Sequence, residues 1–234
     1  MKLIVSNLKM YFDGSEIKNY LDKLVKTDNV IVCPSSIHIP YFLNKNINVG
    51  LQDISIYEKG AFTGEVSALQ GSKLGVSYVL IGHYETRKYN DNKTINLKIK
   101  NALKYNIKPI LCVGEKIEEK NIALEVIKNQ LNECLDNIND KVIIVYEPIW
   151  SIGSGIIPTN EQIENVISFI KKNYNCKVLY GGSVSLQNIE ILNKIPNVDG
   201  FLVGLSSTNV DDFNKIINIV NKIWYFSTGF DKTR

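Results

Sequence analysis

The sequence predicts an α/β protein in which eight parallel strands close into a (β/α)8 barrel ringed by helices. Short apolar segments alternate regularly with longer amphipathic ones along the chain. The apolar segments are continuously hydrophobic, which is typical of parallel strands covered by helices. Eight such units in 234 residues fit a closed barrel. An open doubly wound sheet is the alternative, but no G-x-G-x-x-G sequence follows the first strand.

Each predicted strand is a short run rich in apolar and β-branched residues, and each predicted helix has apolar residues at helical spacing. Thr159 and Gln162 form a T-x-x-Q capping box at the start of one helix. We expect one domain over 1–234, with 225–234 as a tail. The predicted strands are 3–7, 30–34, 47–52, 78–82, 108–114, 141–147, 177–182 and 200–204, and the predicted helices include 15–26, 93–106, 117–138, 159–174 and 209–224.

Composition excludes several classes of protein. The net charge of +3, from 27 basic and 24 acidic residues spread along the chain, argues against a nucleic-acid partner. No apolar run is long enough to cross a membrane, and we expect no secretory signal in the first residues. The four cysteines, none in a C-x-x-C pair, predict reduced thiols in the cytoplasm and no metal site.

Polar and glycine-rich sequences follow the predicted strands at their carboxyl ends. In a (β/α)8 barrel these ends form the catalytic face, so we expect an active site there. The residues concerned are Asn7 and Lys9 after the first strand, 82–87 (GHYETR) after the fourth, Glu115 after the fifth, Glu147 at the sixth, 181–183 (GGS) at the seventh and 203–207 (VGLSS) at the eighth.

Three of these residues carry the chemistry that such a site needs. Glu147 ends the most apolar strand, where partial desolvation would raise the pKa of its carboxyl and make it a better base. His83 follows Gly82 at another strand end, and Lys9 could neutralise developing negative charge. Each has a non-catalytic alternative: a rim glutamate facing water, a structural histidine and a solvated surface lysine.

Three glycine and serine turns are expected to bind an anion. They are 153–155 (GSG), 181–183 and 203–207, after strands six, seven and eight. Backbone N–H groups in such turns can converge on a phosphate, which barrels of this type often bind after strands seven and eight.

The chain resembles the triosephosphate isomerase family over residues 2–224, which implies the TIM-barrel fold. The motifs occur in the order and at the spacing of that family. They are SNLKM (6–10), GAFTGEVS (60–67), GHYETR (82–87), CVGE (112–115), VYEPIWSIGSG (145–155), YGGSV (180–184) and GFLVG (200–204).

The resemblance implies a set of catalytic roles. Glu147 would be the base that moves a proton between adjacent carbons of a triose phosphate, through an enediol(ate). His83, in its neutral form, would polarise the carbonyl and shuttle protons on the oxygens of the enediol(ate). Lys9 and Asn7 would stabilise the enediolate and its phosphate, and Glu85 would orient Lys9 without touching the substrate.

Substrate binding, assembly and metabolic role are implied in the same way. The segment 150–158 would be a mobile lid, and backbone N–H groups of Gly153, Ser183, Gly204 and Leu205 would hold the phosphate. The long loop 52–67 would insert into a second copy of the chain, so that Thr63 reaches the other active site of a homodimer. The family implies a glycolytic and gluconeogenic isomerase without a cofactor.

Some residues depart from the family pattern. Leu8, Tyr11, Tyr84, Thr86, Ile156 and Leu205 stand where the family usually has tryptophan, asparagine, serine, arginine, lysine and glycine. Tyr84 could crowd Glu147 or offer it a longer hydroxyl. Two alternatives to an active isomerase therefore stay open: a catalytically impaired scaffold acting as an interaction protein, and another phosphate-binding barrel such as an epimerase or aldolase-type lyase.

Overall fold

The chain folds as a closed barrel of eight parallel strands. The structure is a computed structural model that describes residues 1–139 and 142–228, with side chains up to residue 222. The strands pair in chain order and β8 closes the barrel against β1, so the predicted fold class is confirmed. The strands are β1 (Leu3–Asn7), β2 (Val30–Cys33), β3 (Asn48–Leu51), β4 (Tyr78–Ile81), β5 (Lys108–Val113), β6 (Ile143–Tyr146), β7 (Val178–Tyr180) and β8 (Gly200–Val203).

Helices surround this barrel. The predicted capping box is present, because Thr159 Oγ1 accepts the N–H of Gln162 and Gln162 Oε1 accepts the N–H of Thr159. Within the described ranges, no helix is both long and apolar enough to span a bilayer. The helices are α1 (Gly14–Lys23), α2 (Ile39–Phe42), α3 (Ala68–Leu74), α4 (Asn92–Lys104), α5 (Ala123–Cys134), α6 (Asn160–Asn173), α7 (Ile189–Leu192) and α8 (Val210–Thr228).

Alternation along each strand builds two separate cores. One set of strand side chains fills the barrel interior, including Val5, Ile110 and Leu202. The other set, including Ile4 and Val32, points outward and packs under the helices. Because both faces of every strand are buried, the strands read as continuously apolar in the sequence.

The differences from the predicted elements lie in short helices and at ends. The helices α2, α3 and α7 have four to seven residues, too few to show a helical period in the sequence. The predicted helix 117–138 divides into a 3₁₀ helix, Ile117–Ile122, followed by α5. The last helix continues to Thr228, past the predicted boundary at 224; residues 229–234 lie outside the described residues.

Candidate active site

A cavity of about 450 Å³ opens at the carboxyl ends of the strands. It gathers side chains and loops from five of the eight βα units. Thr63 lies apart from it, exposed on the loop between β3 and α3. The predicted site residues that line the cavity are Asn7, Lys9, His83, Tyr84, Glu85, Glu147, Gly153, Ser183, Gly204 and Leu205.

Glu147 is held at the floor of this cavity by close backbone packing. Its N–H donates to the carbonyl of Val113 at 2.8 Å. Gly114 lies so close that a Cβ there would come within 2.0 Å of the Glu147 carbonyl oxygen, so only glycine fits. The Glu147 side chain is 3% exposed, and this burial raises the pKa of its carboxyl to about 8. A hydrogen bond from the Tyr84 N–H and the charge of Lys9 oppose that rise.

His83 faces the base and is neutral. Its Nε2 lies 3.2 Å from Oε1 of Glu147. On the other side of the ring, Nδ1 accepts the backbone N–H of Glu85 at 3.3 Å, so the ring proton is assigned to Nε2. Burial, followed by the charge of Lys9, lowers the pKa of His83 to about 4. The imidazole can therefore donate a hydrogen bond from Nε2 without carrying a charge.

Lys9 is fixed in an unusual backbone conformation. Its φ of 46° lies in the left-handed region that non-glycine residues seldom adopt. Oδ1 of Asn7 accepts the Lys9 N–H at 3.1 Å, and Gln52 donates to the Lys9 carbonyl at 2.9 Å. The ammonium then reaches Oε1 of Glu85 at 3.0 Å. The backbone strain is thus supported on both sides, which places the cation at the cavity.

Glu85 is ionised beside that cation. Partial burial of Glu85 opposes its ionisation, but the hydrogen bond and charge of Lys9 outweigh burial and lower the pKa of the carboxyl. Lys9 and Glu85 therefore form an ion pair next to the neutral His83.

Tyr84 contacts both carboxylates in different ways. Its backbone N–H donates to Oε2 of Glu147 at 3.2 Å, whereas its hydroxyl donates to Oε1 of Glu85 at 3.2 Å. The Tyr84 hydroxyl therefore does not contact Glu147 in this structure, which was one of the two effects expected of this residue. The ring lies 5.4 Å from Nζ of Lys9, within the range of a cation–π contact.

The loops predicted to bind phosphate line the same cavity, after strands β6, β7 and β8. Gly153 has a φ of 67°, which allows the lid to turn sharply beneath its tip. A 3₁₀ helix, Leu205–Ser207, begins directly after Gly204. The Ser183 N–H donates to Oγ of Ser151 at 3.3 Å.

The base of the lid is anchored by Trp150. Its indole N–H donates to Oε1 of Glu115 at 2.7 Å, and the Tyr146 hydroxyl donates to the same oxygen at 3.2 Å. Burial raises the pKa of Glu115, and those two hydrogen bonds oppose the rise. Nζ of Lys120 lies 4.3 Å from the center of the Trp150 ring. Glu115 thus supports the lid rather than lining the cavity with Glu147.

Sequence reasoning overlooked two residues of this site. Ser151 is fully buried and bonds to both the lid and the loop after β7, yet a serine before a glycine loop carries no distinguishing pattern. The close approach of Gly114 to Glu147 depends on the pairing of β5 with β6, which composition does not reveal. In 1–139 and 142–228, no group of three or more histidine, cysteine, aspartate or glutamate side chains is placed to hold a metal ion.

The sequence of the chain matches a family of known proteins. The family model described as triosephosphate isomerase matches residues 2–220. Triosephosphate isomerase of Mycoplasmopsis agalactiae is 40% identical, with 93% of this chain and 95% of the relative covered. That of a Wolbachia species from Brugia malayi is 39% identical over 95% and 99% of the two chains. That of Clostridium tetani is 36% identical over 92% and 95%. The chain belongs to the triosephosphate isomerase family.

Proposed function

We propose that this chain interconverts dihydroxyacetone phosphate and D-glyceraldehyde 3-phosphate through an enediol(ate). Its family and the matching relatives along nearly the whole chain support this activity. The observation that carries the assignment of residues is the pairing of a buried base with a neutral histidine. Oε1 of Glu147 and Nε2 of His83 are 3.2 Å apart, beside the Lys9–Glu85 ion pair.

The proposed reaction moves one proton between two carbons. Glu147, ionised, removes a proton from the carbon next to the carbonyl, and the electron pair of that C–H bond forms the C=C bond of the enediol(ate). Nε2–H of His83 donates to the carbonyl oxygen as negative charge develops there. The former carbonyl oxygen keeps the proton donated by His83, and the hydroxyl on the other carbon gives its proton to the His83 ring as its C=O bond forms. Glu147 returns its proton to the former carbonyl carbon, which completes the isomerisation.

Lys9 and the phosphate loops stabilise the charges of this pathway. Asn7 and Lys9 line the same cavity as Glu147 and His83, and the Lys9 ammonium would neutralise the charge that develops on the enediolate oxygens. Backbone N–H groups of Gly153, Ser183, Gly204 and Leu205 are the proposed phosphate donors. Closure of 150–158 over the substrate would exclude water and so strengthen these interactions.

A coupled assay with glyceraldehyde 3-phosphate tests the activity, and Glu147→Gln tests the base. We expect the variant to bind inorganic phosphate as the wild type does, since the proposed phosphate donors are backbone N–H groups that the substitution leaves in place. Its turnover should fall at least about 10²-fold, the scale of a lost general base. Near-normal turnover would remove Glu147 from the role.

The same assay decides between the proposal and its alternatives. A catalytically impaired scaffold would bind phosphate without turnover, and an epimerase or lyase would turn over a different substrate. Neither alternative has support from a specific contact, since Lys9, His83 and Glu147 lie together in one cavity.

We also propose a homodimer in the cytoplasm. Large apolar side chains are exposed in the loops after the first four strands, including Met10 at 91% and Tyr89 at 87%. Tyr57 and Phe62 stack at 3.9 Å in the loop that carries Thr63. A second copy covering these loops would bury them and bring Thr63 to the partner's cavity. A location in the cytoplasm is supported by the four cysteines, which are all free thiols: Cys33, Cys112, Cys134 and Cys176.

A further inference from the structure

The hydroxyl of Ser151 lies where the lid meets the phosphate loops. The residue is fully buried at the end of the 3₁₀ helix Ile149–Ser151, directly after Glu147 and Pro148. Buried hydroxyls are nearly always hydrogen-bonded, and this one has contacts on three sides. Each contact belongs to a different part of the site, so the oxygen connects segments that are separate in the chain.

The first contact joins the two ends of the lid. Ser151 Oγ donates to the carbonyl of Ile156 at 2.6 Å. Ser154 adds a local brace, because its hydroxyl donates to the Ser151 carbonyl at 3.1 Å and accepts the Ile156 N–H at 3.1 Å. Ser151 therefore clasps the start of the lid to its end, with the two lid glycines between them.

The second contact joins the lid to a proposed phosphate donor. The Ser183 N–H donates to Ser151 Oγ at 3.3 Å, and Gly182 packs so closely that a Cβ there would lie 3.0 Å from the same oxygen. A single N–H makes one strong hydrogen bond at a time, since the bond weakens steeply away from linearity. Phosphate bound at the Ser183 N–H would therefore compete with Ser151 Oγ.

The third contact, with Tyr180, leaves Ser151 Oγ a hydrogen-bond donor after the Ser183 N–H has turned to a phosphate. The Tyr180 hydroxyl lies 3.5 Å from Ser151 Oγ. Because the Ser151 proton is already directed at Ile156, Tyr180 must be the donor in this pair. When the Ser183 N–H turns to a phosphate oxygen, Ser151 Oγ still has Tyr180 as a donor, so no buried acceptor is left without a partner.

We propose that Ser151 is a positioning residue that couples occupancy of the phosphate subsite to the lid. The Ser151 hydroxyl holds the Ser183 N–H toward the lid until a phosphate accepts that N–H. The Tyr180 hydroxyl is then the one remaining donor to Ser151 Oγ while this oxygen keeps its hydrogen bond to the Ile156 carbonyl. Coupling of this kind is reciprocal, so the contact that binds the lid to Ser183 must weaken phosphate binding by the same factor. The inference rests on the proposed function, since it takes Ser183 as a phosphate donor.

The test measures the affinity of inorganic phosphate by calorimetric titration for wild type, Ser151→Ala and Ser154→Ala. Ser151→Ala removes the competing acceptor, so phosphate should bind roughly 2- to 10-fold more tightly, the range of one neutral hydrogen bond. Ser154→Ala is the matched control, because it also removes a lid hydroxyl but has no hydrogen bond to Ser183. Because Ser154 braces the lid without holding the Ser183 N–H, its loss should not give the gain in phosphate affinity expected of Ser151→Ala.

Steady-state kinetics supply a second readout that simple structural damage would not give. Loss of the clasp should lower kcat in Ser151→Ala while KM falls or stays constant, since substrate binding gains the free Ser183 N–H. General damage to the site would instead raise KM. If Ser151→Ala does not give a folded protein by circular dichroism, Ser151→Cys replaces it, because a thiol of similar shape is a weak acceptor.

Two different failures are distinguishable. Equal or weaker phosphate binding by Ser151→Ala, with an active wild type that binds phosphate, overturns the role of Ser151. An equal gain in Ser154→Ala overturns it too, because the effect would then come from loosening the lid. A wild type that neither isomerises triose phosphate nor binds phosphate would instead refute the proposed function itself.

Discussion

Glu147 and His83 lie 3.2 Å apart, and burial drives their pKa values in opposite directions. Desolvation disfavours the charged form of each group, so the pKa of the carboxyl rises and that of the imidazole falls. In this conformation, at pH 7, the Glu147 carboxyl is therefore mostly protonated and the His83 imidazole is uncharged. Ionisation of Glu147 then becomes the step that prepares the site for proton removal.

The raised pKa of Glu147 predicts a specific dependence of stability on pH. The folded protein holds this proton up to about pH 8, whereas the ordinary value is 4.5. The folded state thus binds more protons between these limits, so the contribution of Glu147 to the free energy of unfolding decreases as pH rises through that window. Glu147→Gln should then be more stable than wild type by at least about 1 kcal/mol at pH 8. Below about pH 4 the two should be equal.

Denaturant unfolding of both proteins at several pH values measures this difference. A glutamine that is equally stabilising at pH 4 and pH 8 would show that packing rather than ionisation separates the two proteins. The matched control is Glu161→Gln on the exposed first turn of α6, whose stability difference from wild type should lack this profile.

Tyr84 is predicted to act through Glu85 rather than through Glu147. Its hydroxyl and Nζ of Lys9 contact the same oxygen of Glu85, at 3.2 and 3.0 Å. Tyr84→Phe removes that hydroxyl but keeps the backbone N–H to Glu147. We expect kcat/KM to fall by about 2- to 10-fold, the scale of one hydrogen bond.

The control for this change is Tyr105→Phe, at the end of α4 and far from the strand ends that form the cavity. Its kinetics should match wild type. The shorter Tyr84→Ser also removes the ring over Lys9, so it should change activity more than Tyr84→Phe does. Unchanged kinetics in both Tyr84 variants would show that the position serves packing alone.

At the scale of elements, the lid is a short loop whose two ends differ in freedom. Its centre contains Gly153 and Gly155, both with φ near 70°, whereas its end is Ile156, Ile157 and Pro158. Proline fixes its own φ and keeps Ile157 away from the helical region. The end of the lid therefore has few backbone states, and the glycines supply the adjustment.

This stiffness predicts the effect of Pro158→Ala on ligand binding. A lid with fewer open states loses less entropy on closing, so the alanine variant should bind a phosphoglycolate-type anion more weakly, by about 0.4–1 kcal/mol. Calorimetric titration of the two proteins measures the difference. Equal or tighter binding by Pro158→Ala would mean that the proline does not preorganise the lid, and slow opening would then be the effect to measure.

How much of these elements the sequence predicts depends on their length. All eight strands are predictable because each is buried on both faces, and long helices such as α6 show both period and cap. The four-residue α2 and α7 show neither. In the site, Glu147 stands out as a carboxylate ending an apolar strand. Ser151 does not, because its role arises from contact with Ser183, 32 positions further along the chain.

At the scale of the whole molecule, barrel closure brings residues from distant parts of the chain to one rim. Lys9 and Glu85 are 76 positions apart and Glu147 is 63 positions beyond Tyr84, yet each pair is joined by one hydrogen bond. Such long-range contacts follow from β8 pairing with β1, which the count of eight units predicts. The extent of the domain, 1–234, stays a prediction.

Loops after four consecutive strands share one half of the rim and expose Met10, Ile37, Phe62 and Tyr89, which a single chain leaves in water. Burying such a patch favours association, so we expect a dimer at micromolar concentration by sedimentation.

Met10→Asp would place a charge in the covered surface and should shift the protein toward monomer. Because Lys9 is the next residue and Thr63 would come from the partner, activity should fall with the dimer fraction. A matched change in the opposite half of the barrel is Ile191→Asp on α7, which follows β7; it alters an exposed apolar residue outside this surface and should leave the dimer intact. A wild type that is monomeric and fully active would contradict the dimer, and it would leave loop 52–67 as an ordinary surface loop.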